Sequence, residues 1–490
     1  MQYKSPKHLL YLFLFLITII LIWIIFKQFY PYPFITLDSV MYIDSASKNL
    51  DIDYWPIGYS KLIHFIGQFS HSSTLLVTIQ YLVIQCSFLY LYITLKSIFK
   101  LNRWGCYLIL LFTVFNPLFI IASNHIMSDA LFTAITIIWI SQLLNIIVRP
   151  KHYMLYTQAI LVLLSLTLRY TALYYPVITI WAFSISSLKF REKALGVILT
   201  FMFLGVFIQY TRLKMESISG VRSFSSSNGW KKANNALYMY SNLATTDTSS
   251  VPVSFRLIHK IVKSYFKGPH QKVDLFHYQE EPSYGCFYMF SPQSPLIKYD
   301  SVKTGTLGDL HNLKTSPRCN VVFNSYANYL IQKYPLQYIK SVIIPNLIAY
   351  YSPILEIYGD HTPLYSEWTD YYGGVIRSWF NIKNISNPSK YLHIRGVILS
   401  PSTLIFSMIH SFFLLSLFII VALINFIRLN KNILFCLIVL ITICLINFLF
   451  YITLSPSILR FQFNTIIIEF FIFIWLIDFL IKNKNTLNNK

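Results

Sequence analysis

Two aspartates stand at the ends of long apolar runs, where a carboxylate can act as a general base. Asp38 lies a few residues beyond the first run, and Asp129 opens the fourth. Partial burial at a membrane surface tunes the pKa of a carboxylate, which suits it to take a proton from a hydroxyl group. The simpler alternative is that each aspartate is only the N-cap of the helix that it precedes.

Two arginines occupy similar positions. Arg169 separates two apolar runs, and Arg460 opens the last one. A guanidinium at such a boundary can simply extend its charge to the membrane surface. It is also well suited to bind phosphate through paired N–H donors. Together with the aspartates, these arginines would form a site for phosphate chemistry if their segments end on the same side of a membrane.

Ten apolar runs must position these residues, in a chain that is 55% apolar and only 12% charged. Most of them are long enough to cross a hydrocarbon core of roughly 30 Å. They are predicted to be helices, because a lone strand in lipid leaves its amides unpaired. We therefore expect an all-α polytopic membrane protein with about ten transmembrane helices. The runs are 8–30, 72–95, 104–122, 129–148, 154–168, 171–188, 195–211, 402–427, 432–451 and 462–481.

The cations near the span ends indicate the orientation. In a ten-span topology fifteen of these cations fall on one side, whereas the short loops 123–128 and 452–459 on the other side contain no Lys or Arg. By the positive-inside rule, both termini are predicted to be cytoplasmic. The cations on the predicted cytoplasmic side are Lys4, Lys7, Lys96, Lys100, Arg103, Arg149, Lys151, Lys189, Arg191, Lys193, Arg428, Lys431, Lys482, Lys484 and Lys490.

Two loops on the predicted outer face are long. Residues 31–71 form the first, and residues 212–401 are numerous and polar enough to fold as an extracytoplasmic domain of mixed or unknown structure. The predicted organisation is thus an N-terminal membrane module over 1–211, this domain, and a C-terminal membrane module over 402–490. Within the domain, the apolar stretch 338–355 contains two prolines, which favours an interfacial helix over a further span.

Net charge and cysteine content say less about function than the charged residues at the span ends. The net charge of +21 does not require nucleic acid as a partner, because much of it lies beside span ends, where anionic lipid attracts it. Cys286 and Cys319 both fall in the predicted outer domain, where a disulfide is chemically permitted but not specified by the sequence. The chain shows no CxxC, HExxH, Walker or GxGxxG motif and no internal repeat, which weakens soluble-enzyme and transporter interpretations.

Four short pieces, taken in order, resemble the multispanning lipid-dependent glycosyltransferases of the GT-C fold. Within this fold, the pieces are most similar to protein mannosyltransferases and aminoarabinose transferases, the type represented by glycosyltransferase family 39. It covers residues 1–190 well, and afterwards only the span pattern and one arginine match. The pieces are Asp38, Ser39, Tyr42 and Ala46 with the later Pro56, Gly58 and Tyr59; Ser128, Asp129, Leu131 and Phe132; Arg169, Thr171, Ala172, Leu173 and Pro176; and Arg460.

This resemblance implies transfer of a sugar from a polyprenyl-phosphate donor, on the outer face, to a glycan, lipid or protein acceptor. Asp38 would be the general base of an inverting displacement, and Asp129 would orient the acceptor or a cation. The resemblance assigns the donor phosphate to Arg460, Arg169 and Lys61, and the sugar pocket to Tyr42, Tyr59 and His125. Asp38, Asp129 and His125 are the only candidate ligands for a divalent cation, so a metal is permitted without being required.

Two other functions fit the same sequence. A transporter or flippase of lipid-linked saccharide would use ionisable residues deep within spans, for which Glu469 and Asp478 are the main candidates. A non-catalytic envelope or assembly protein would bind a partner through the outer domain and would not need Asp38. The composition, rich in Ile, Lys, Asn, Phe and Tyr, suits a bacterial inner membrane with the long loop in the periplasm.

Overall fold

A computed structural model shows a chain that is about 80% helical. It describes residues 6–243, 250–270, 272–276, 285–353, 355, 370–381, 392–423, 429–454 and 456–483. The described residues contain no β-strand, and Phe34 and His125 form a parallel β-bridge. The all-α class is therefore confirmed over the described part of the chain.

The helices fall into three groups along the chain. The N-terminal group is α1 (Pro6–Phe29), α2 (Leu37–Ser47), α3 (Gly58–Gly67), α4 (Ser73–Phe99), α5 (Arg103–Val114), α6 (Pro117–Ser123), α7 (Asp129–Val148), α8 (Tyr153–Leu168), α9 (Tyr175–Ile185) and α10 (Phe190–Ser219). The middle group is α11 (Asn228–Ser241), α12 (Arg256–Lys267), α13 (Phe287–Phe290), α14 (Pro295–Thr304), α15 (Ser316–Lys333), α16 (Pro335–Tyr338), α17 (Ile344–Tyr351) and α18 (Asp370–Phe380). The last group is α19 (Leu392–Leu423), α20 (Lys431–Leu454) and α21 (Phe463–Lys482).

Helices occupy all ten apolar runs, although they differ in length. Within the described residues, eight helical segments are long and apolar enough to cross a membrane. The runs 154–168 and 171–188 form the shorter apolar helices α8 and α9. The last residues of the run 402–427 lie outside the described residues. The chain is thus a polytopic membrane protein, and a count of ten spans remains a prediction.

Two helices form the centre of the bundle. In the 18-residue apolar window of α7, 83% of the residues are buried, and in that of the segment containing α21 the share is 67%. By contrast, only 11% of the corresponding window of α1 is buried. Side chains such as Phe13 and Ile25 on α1 are therefore exposed, as expected of a helix that faces lipid.

Helix α7 defines the two ends of this bundle, which we call the Asp129 end and the Arg149 end. At the Arg149 end, the guanidinium of Arg149 donates to Ser97 Oγ at 2.6 Å, and Lys482 Nζ donates to the carbonyl of Lys100 at 2.6 Å. Several of the predicted cytoplasmic cations therefore lie together. Lys4, Arg428, Lys484 and Lys490 lie outside the described residues.

The segment between α10 and α19, which we call the interspan region, has its own hydrophobic core. Trp230, Tyr238, Tyr288, Phe323 and related side chains form this core separately from that of the bundle. Helix α10 continues to Ser219 and α19 begins at Leu392, so continuous helices extend beyond the predicted boundaries at 211 and 402.

The apolar stretch 338–355 lies against the bundle. A π-helical turn, Ile339–Ile343, joins α16 and α17 into one helical run. Tyr338 Oη donates to the carbonyl of Thr453 at 3.0 Å, and Asn346 Nδ2 donates to that of Ile452 at 3.4 Å. Because both contacts are to the last turn of α20, the run lies at the Asp129 end.

Neither of the two cysteines of the interspan region forms a disulfide. Cys319 lies in α15, where its Sγ atom is 3.1 Å from Asp300 Oδ1. Its thiol thus donates to a buried carboxylate, and no disulfide joins it to Cys286.

Candidate active site

Neither aspartate is a helix cap. Thr36 is the N-cap of α2, and its backbone N–H donates to the hydroxyl of Ser39 at 2.9 Å. Ser128 is the N-cap residue of α7, which leaves Asp129 as the first helical residue. Both carboxylates therefore lie in the first turn of a helix, where the helix dipole favours negative charge. The cap interpretation of Asp38 and Asp129 was wrong.

A short backbone pairing joins the loops that carry the aspartates. The N–H of Phe34 donates to the carbonyl of Asn124 at 2.8 Å, and the N–H of Ile126 donates to the carbonyl of Phe34 at 3.0 Å. These bonds hold the chain just before α2 beside the loop just before α7.

Side chains reinforce this pairing. The hydroxyl groups of Tyr42 and Ser128 are 3.2 Å apart, and the ring of Tyr42 meets that of Tyr59 edge to face. Tyr59 in turn donates to Gln80 Oε1 at 2.6 Å, while the amide of Gln80 donates to two backbone carbonyls of the second loop. The starts of α2 and α7 are therefore fixed relative to each other.

Four charged side chains from four distant segments meet at the Asp129 end. Arg169, directly after α8, has its Nη2 atom 2.7 Å from Asp129 Oδ1. Arg460, before α21, has its Nη1 atom 3.4 Å from Asp38 Oδ2 and 3.7 Å from Asp129 Oδ2. We call these four residues the arginine–carboxylate cluster.

Phe461 orders the two arginines. The guanidinium carbons of Arg169 and Arg460 lie 5.0 and 4.9 Å from the centre of its ring, within the range of cation–π attraction. The ring itself stacks on Tyr451 with a centroid distance of 5.2 Å. Phe461 was not among the predicted site residues, although it directly follows Arg460 in the sequence.

The two carboxylates differ in accessibility. The side chain of Asp38 is 28% exposed, whereas that of Asp129 is 2% exposed. A hydroxyl group in solvent can therefore reach Asp38, while Asp129 contacts both arginines from the buried side. In chemical terms, Asp38 is the carboxylate better placed to accept a proton, and Asp129 the one better placed to hold the guanidiniums.

His125 is buried beside the cluster, against the ring of Phe34. Burial lowers the pKa of the His125 imidazole well below its usual value, and the charges of Arg395 and Arg460 act in the same direction. Arg395 is itself fully buried, with its guanidinium carbon 4.4 Å from the centre of the Phe34 ring. Arg395 is a further cation near the cluster that was not among the predicted site residues.

A second missed cation comes from the interspan region. Lys231 of α11 has its ammonium group 5.9 Å from the ring centre of Trp55 and interacts electrostatically with Asp38, Arg169 and Arg460. Burial lowers the pKa of this ammonium and is the largest effect; Cys286 and Asp38 raise the pKa in part, and the two guanidiniums lower it. Because two arginines already balance two aspartates, Lys231 adds positive charge beside the cluster.

Close packing fixes the start of α11. The N–H of Gly229 donates to Asn320 Oδ1 at 2.6 Å, and a Cβ atom at this glycine would lie 1.9 Å from the Asn320 carbonyl oxygen. The next residue, Trp230, is fully buried and donates to the carbonyl of Ser316. Helix α15 thereby holds Lys231 over the first loop.

Three of the residues assigned by resemblance contact the loops around the arginine–carboxylate cluster. Lys61 Nζ donates to Asn49 Oδ1 at 2.7 Å and lies 3.7 Å from Asp51, so its charge is directed at other residues of the first loop. Tyr59 and His125 are buried and support the loops. Tyr42 is buried too, but it interacts electrostatically with Asp38, Arg169 and Asp129.

No group of three or more His, Cys, Asp or Glu side chains in the described ranges could hold a metal ion. Asp129 already contacts two guanidiniums, which would repel a divalent cation. The arrangement is thus better suited to an anion.

Gly58 explains the Pro-x-Gly-Tyr piece. A Cβ atom at this position would lie 2.5 Å from Thr167 Oγ1 and 2.7 Å from the Thr167 carbonyl oxygen, at the end of α8.

We expect Gly58→Ala to separate α3 from α8 and to cost about 1–3 kcal/mol of stability. Thermal unfolding of the purified protein measures this. The matched control is Gly205→Ala in α10, where nothing lies within 4 Å; an equal loss in both variants would contradict the packing argument.

Fold and site together define an all-α polytopic membrane protein in which two aspartates and two arginines meet at one end of the bundle. No protein-family model, curated protein or solved structure matches the chain. The resemblance to GT-C glycosyltransferases therefore rests on the four sequence pieces alone.

Proposed function

We propose that the chain is a membrane glycosyltransferase that moves a sugar from a polyprenyl-phosphate donor to an acceptor on the outer face of a bacterial inner membrane. One observation carries this proposal: Asp38, Asp129, Arg169 and Arg460 meet at one bundle end although up to 422 residues separate them in the chain. An accessible carboxylate beside two guanidiniums is what transfer from a lipid phosphate needs.

The orientation follows from charge. Arg149 and Lys482 contact neighbours at the far end of the bundle, and predicted cytoplasmic cations are concentrated there. The positive-inside rule then places the Asp129 end outside, at the depth where the head of a polyprenyl lipid meets water. The lipid tail would remain in the bilayer beside the exposed apolar helix faces.

The cations would hold the donor phosphate. Arg460 and Arg169 provide N–H donors, and Lys231 adds a charge that neither carboxylate neutralises. As the bond between the sugar C1 and the phosphate oxygen breaks, that oxygen takes the electron pair, and the cations stabilise the charge that develops. The leaving group is the polyprenyl phosphate.

Asp38 would supply the base. It takes the proton of an acceptor hydroxyl while the hydroxyl oxygen forms the new bond to C1 from the side opposite the phosphate. Its partial exposure permits contact with the acceptor, and its distance of 3.4 Å from Arg460 keeps base and phosphate site close. Such a displacement inverts the configuration at C1.

A transporter of lipid-linked saccharide is the second candidate. The observation in its favour is a buried contact between His410 and Glu469, whose side chains lie 2.6 Å apart within apolar helices. Ionisable pairs at such depth are often part of ion or proton pathways. Retention of sugar transfer by Glu469→Gln, which removes the ionisable carboxyl group of the pair, would favour the glycosyltransferase over the transporter.

Lys231 provides the test of the proposed function. Membranes with the wild-type chain should transfer sugar from lipid-phosphate donors to envelope acceptors, and Lys231→Met should raise the donor KM about tenfold through loss of one charged contact. Lys232→Met, at the next position of α11, is the matched control and should leave the KM unchanged. Absence of any transfer by the wild type would reject the glycosyltransferase proposal.

The same variants predict a pH effect. Because the pKa of Lys231 is lowered, its ammonium loses its proton as pH rises through a value below that of an ordinary lysine. Donor affinity should therefore fall on the alkaline side in the wild type and in Lys232→Met. In Lys231→Met this alkaline limb should disappear from the profile of kcat/KM against pH.

A further inference from the structure

A chain of three hydrogen-bonded, buried polar side chains adjoins the arginine–carboxylate cluster. His410 of α19 has Nδ1 2.6 Å from Glu469 Oε2 and Nε2 2.9 Å from Gln462 Oε1. The amide of Gln462 donates to the carbonyl of Tyr350 at 3.1 Å. All three side chains are almost completely buried, at 0–2% exposure. The mechanism proposed above uses none of them.

The partners determine where the protons lie. Since the Gln462 amide nitrogen faces a carbonyl, its oxygen must face His410, so His410 Nε2 carries a hydrogen and donates it. His410 Nδ1 and Glu469 then share one further proton, whichever of them holds it. The pair is therefore neutral as a whole and its hydrogen bonds are satisfied, which makes burial among apolar helices tolerable.

This chain connects three helices at the point where the cluster is built. It joins α19 to α21 through His410 and joins both to α17 through Gln462. Gln462 is the last residue of the 3₁₀ turn Leu459–Gln462, which also contains Arg460. Any displacement of Gln462 would shift the turn that directs Arg460 toward Asp38 and Asp129.

We propose that His410 is a positioning residue that holds Arg460 in its phosphate-binding place by fixing Gln462, with Glu469 as its anchor. The inference rests on the proposed function only in identifying the ligand as a lipid phosphate. It assigns the pair a hydrogen-bonding role and no transfer of protons. A neutral glutamine at position 469 can donate to His410 Nδ1 and leave the Nε2 hydrogen in place, so Glu469→Gln should preserve the chain.

Binding of a polyprenyl monophosphate to the full chain in nanodiscs tests the inference. His410→Leu and Gln462→Leu should each raise the Kd about tenfold and approach the loss caused by Arg460→Ala. Glu469→Gln should stay within twofold of the wild type. In sugar transfer, the same variants should raise the donor KM more than they lower kcat. Ser411→Leu, at the exposed next position of α19, controls for the added apolar side chain and should bind normally.

Two results would overturn the inference. Unchanged affinity in His410→Leu would show that Arg460 is held without it, and equal losses in Glu469→Gln and His410→Leu would show that the pair acts through its proton. If His410→Leu does not accumulate, His410→Gln replaces it, because an amide cannot reproduce both ring contacts. Sugar transfer by the wild type separates this failure from that of the proposed function, since either can fail alone.

Discussion

Asp38→Asn is expected to lower sugar transfer about 10²–10⁴-fold, the usual contribution of a positioned general base. The variant should accumulate in membranes like the wild type, because Thr36 caps α2 and the carboxylate of Asp38 is partly exposed. The measurement is the initial rate at matched protein levels and saturating donor.

Asp44→Asn is the matched control for this prediction. Asp44 belongs to the same helix and pairs with Lys48 at 2.6 Å, away from the arginines. Its replacement should change the rate less than twofold. A full rate in Asp38→Asn would remove the base from the proposed mechanism and favour a non-catalytic envelope protein.

Arg169→Met is expected to destabilise the fold by about 3–5 kcal/mol, because it leaves the buried carboxylate of Asp129 without its partner at 2.7 Å. Arg460, at 3.7 Å, compensates only in part. Adding Asp129→Asn should restore most of the loss, since the remaining amide carries no charge. Thermal unfolding of the purified single and double variants measures the coupling.

An exposed ion pair of similar length shows whether burial is the cause. Lys48 and Asp44 lie 2.6 Å apart, but the side chain of Lys48 is 53% exposed. Lys48→Met should change stability by less than about 1 kcal/mol, as is usual for surface ion pairs. Equal losses at both sites, or no rescue by the double variant, would contradict a stabilising role for the buried pair.

Hydropathy alone predicted most of the bundle. Every apolar run is helical over most of its described residues, with run 104–122 divided into α5 and α6, because a membrane-spanning segment must satisfy its backbone internally. The two short helices α8 and α9 show the limit of this argument, because length does not decide whether a short apolar helix crosses. The contact between Arg169 and Asp129 shows what the sequence could not: α8 ends at the Asp129 end of the bundle, where α7 begins.

The cluster was predictable because its members stand at the ends of spans. Residues at the same end of a bundle are brought near one another whatever their distance in sequence. Side-chain direction was not predictable in this way. Lys61 follows the first span, as Asp38 does, yet it contacts Asn49 and Asp51 because α3 directs it toward its own loop.

Residues outside the span ends were missed for a different reason. Lys231 lies in a long polar segment without a periodic pattern that would place it, and only the packing of Gly229 against Asn320 brings it to the cluster. His410 was one histidine in a long apolar run. Its structural role depends on its contact with Glu469, 59 positions later in the sequence, and no spacing rule predicts that contact.

The distance along the chain between Asp38 and Arg460 has a consequence for biosynthesis. Since translation proceeds from the N-terminus, Asp129 and Arg169 can pair as soon as α7 and α8 are inserted, and their charges are then balanced. Arg460 emerges only after hundreds of further residues have been synthesised. Until α21 enters the membrane, Asp38 lacks this counter-ion, and ribosome-bound or truncated chains hold only part of the arginine–carboxylate cluster. Insertion of α21 thus completes the cluster, and under the proposed function partly made chains would not bind lipid phosphate prematurely.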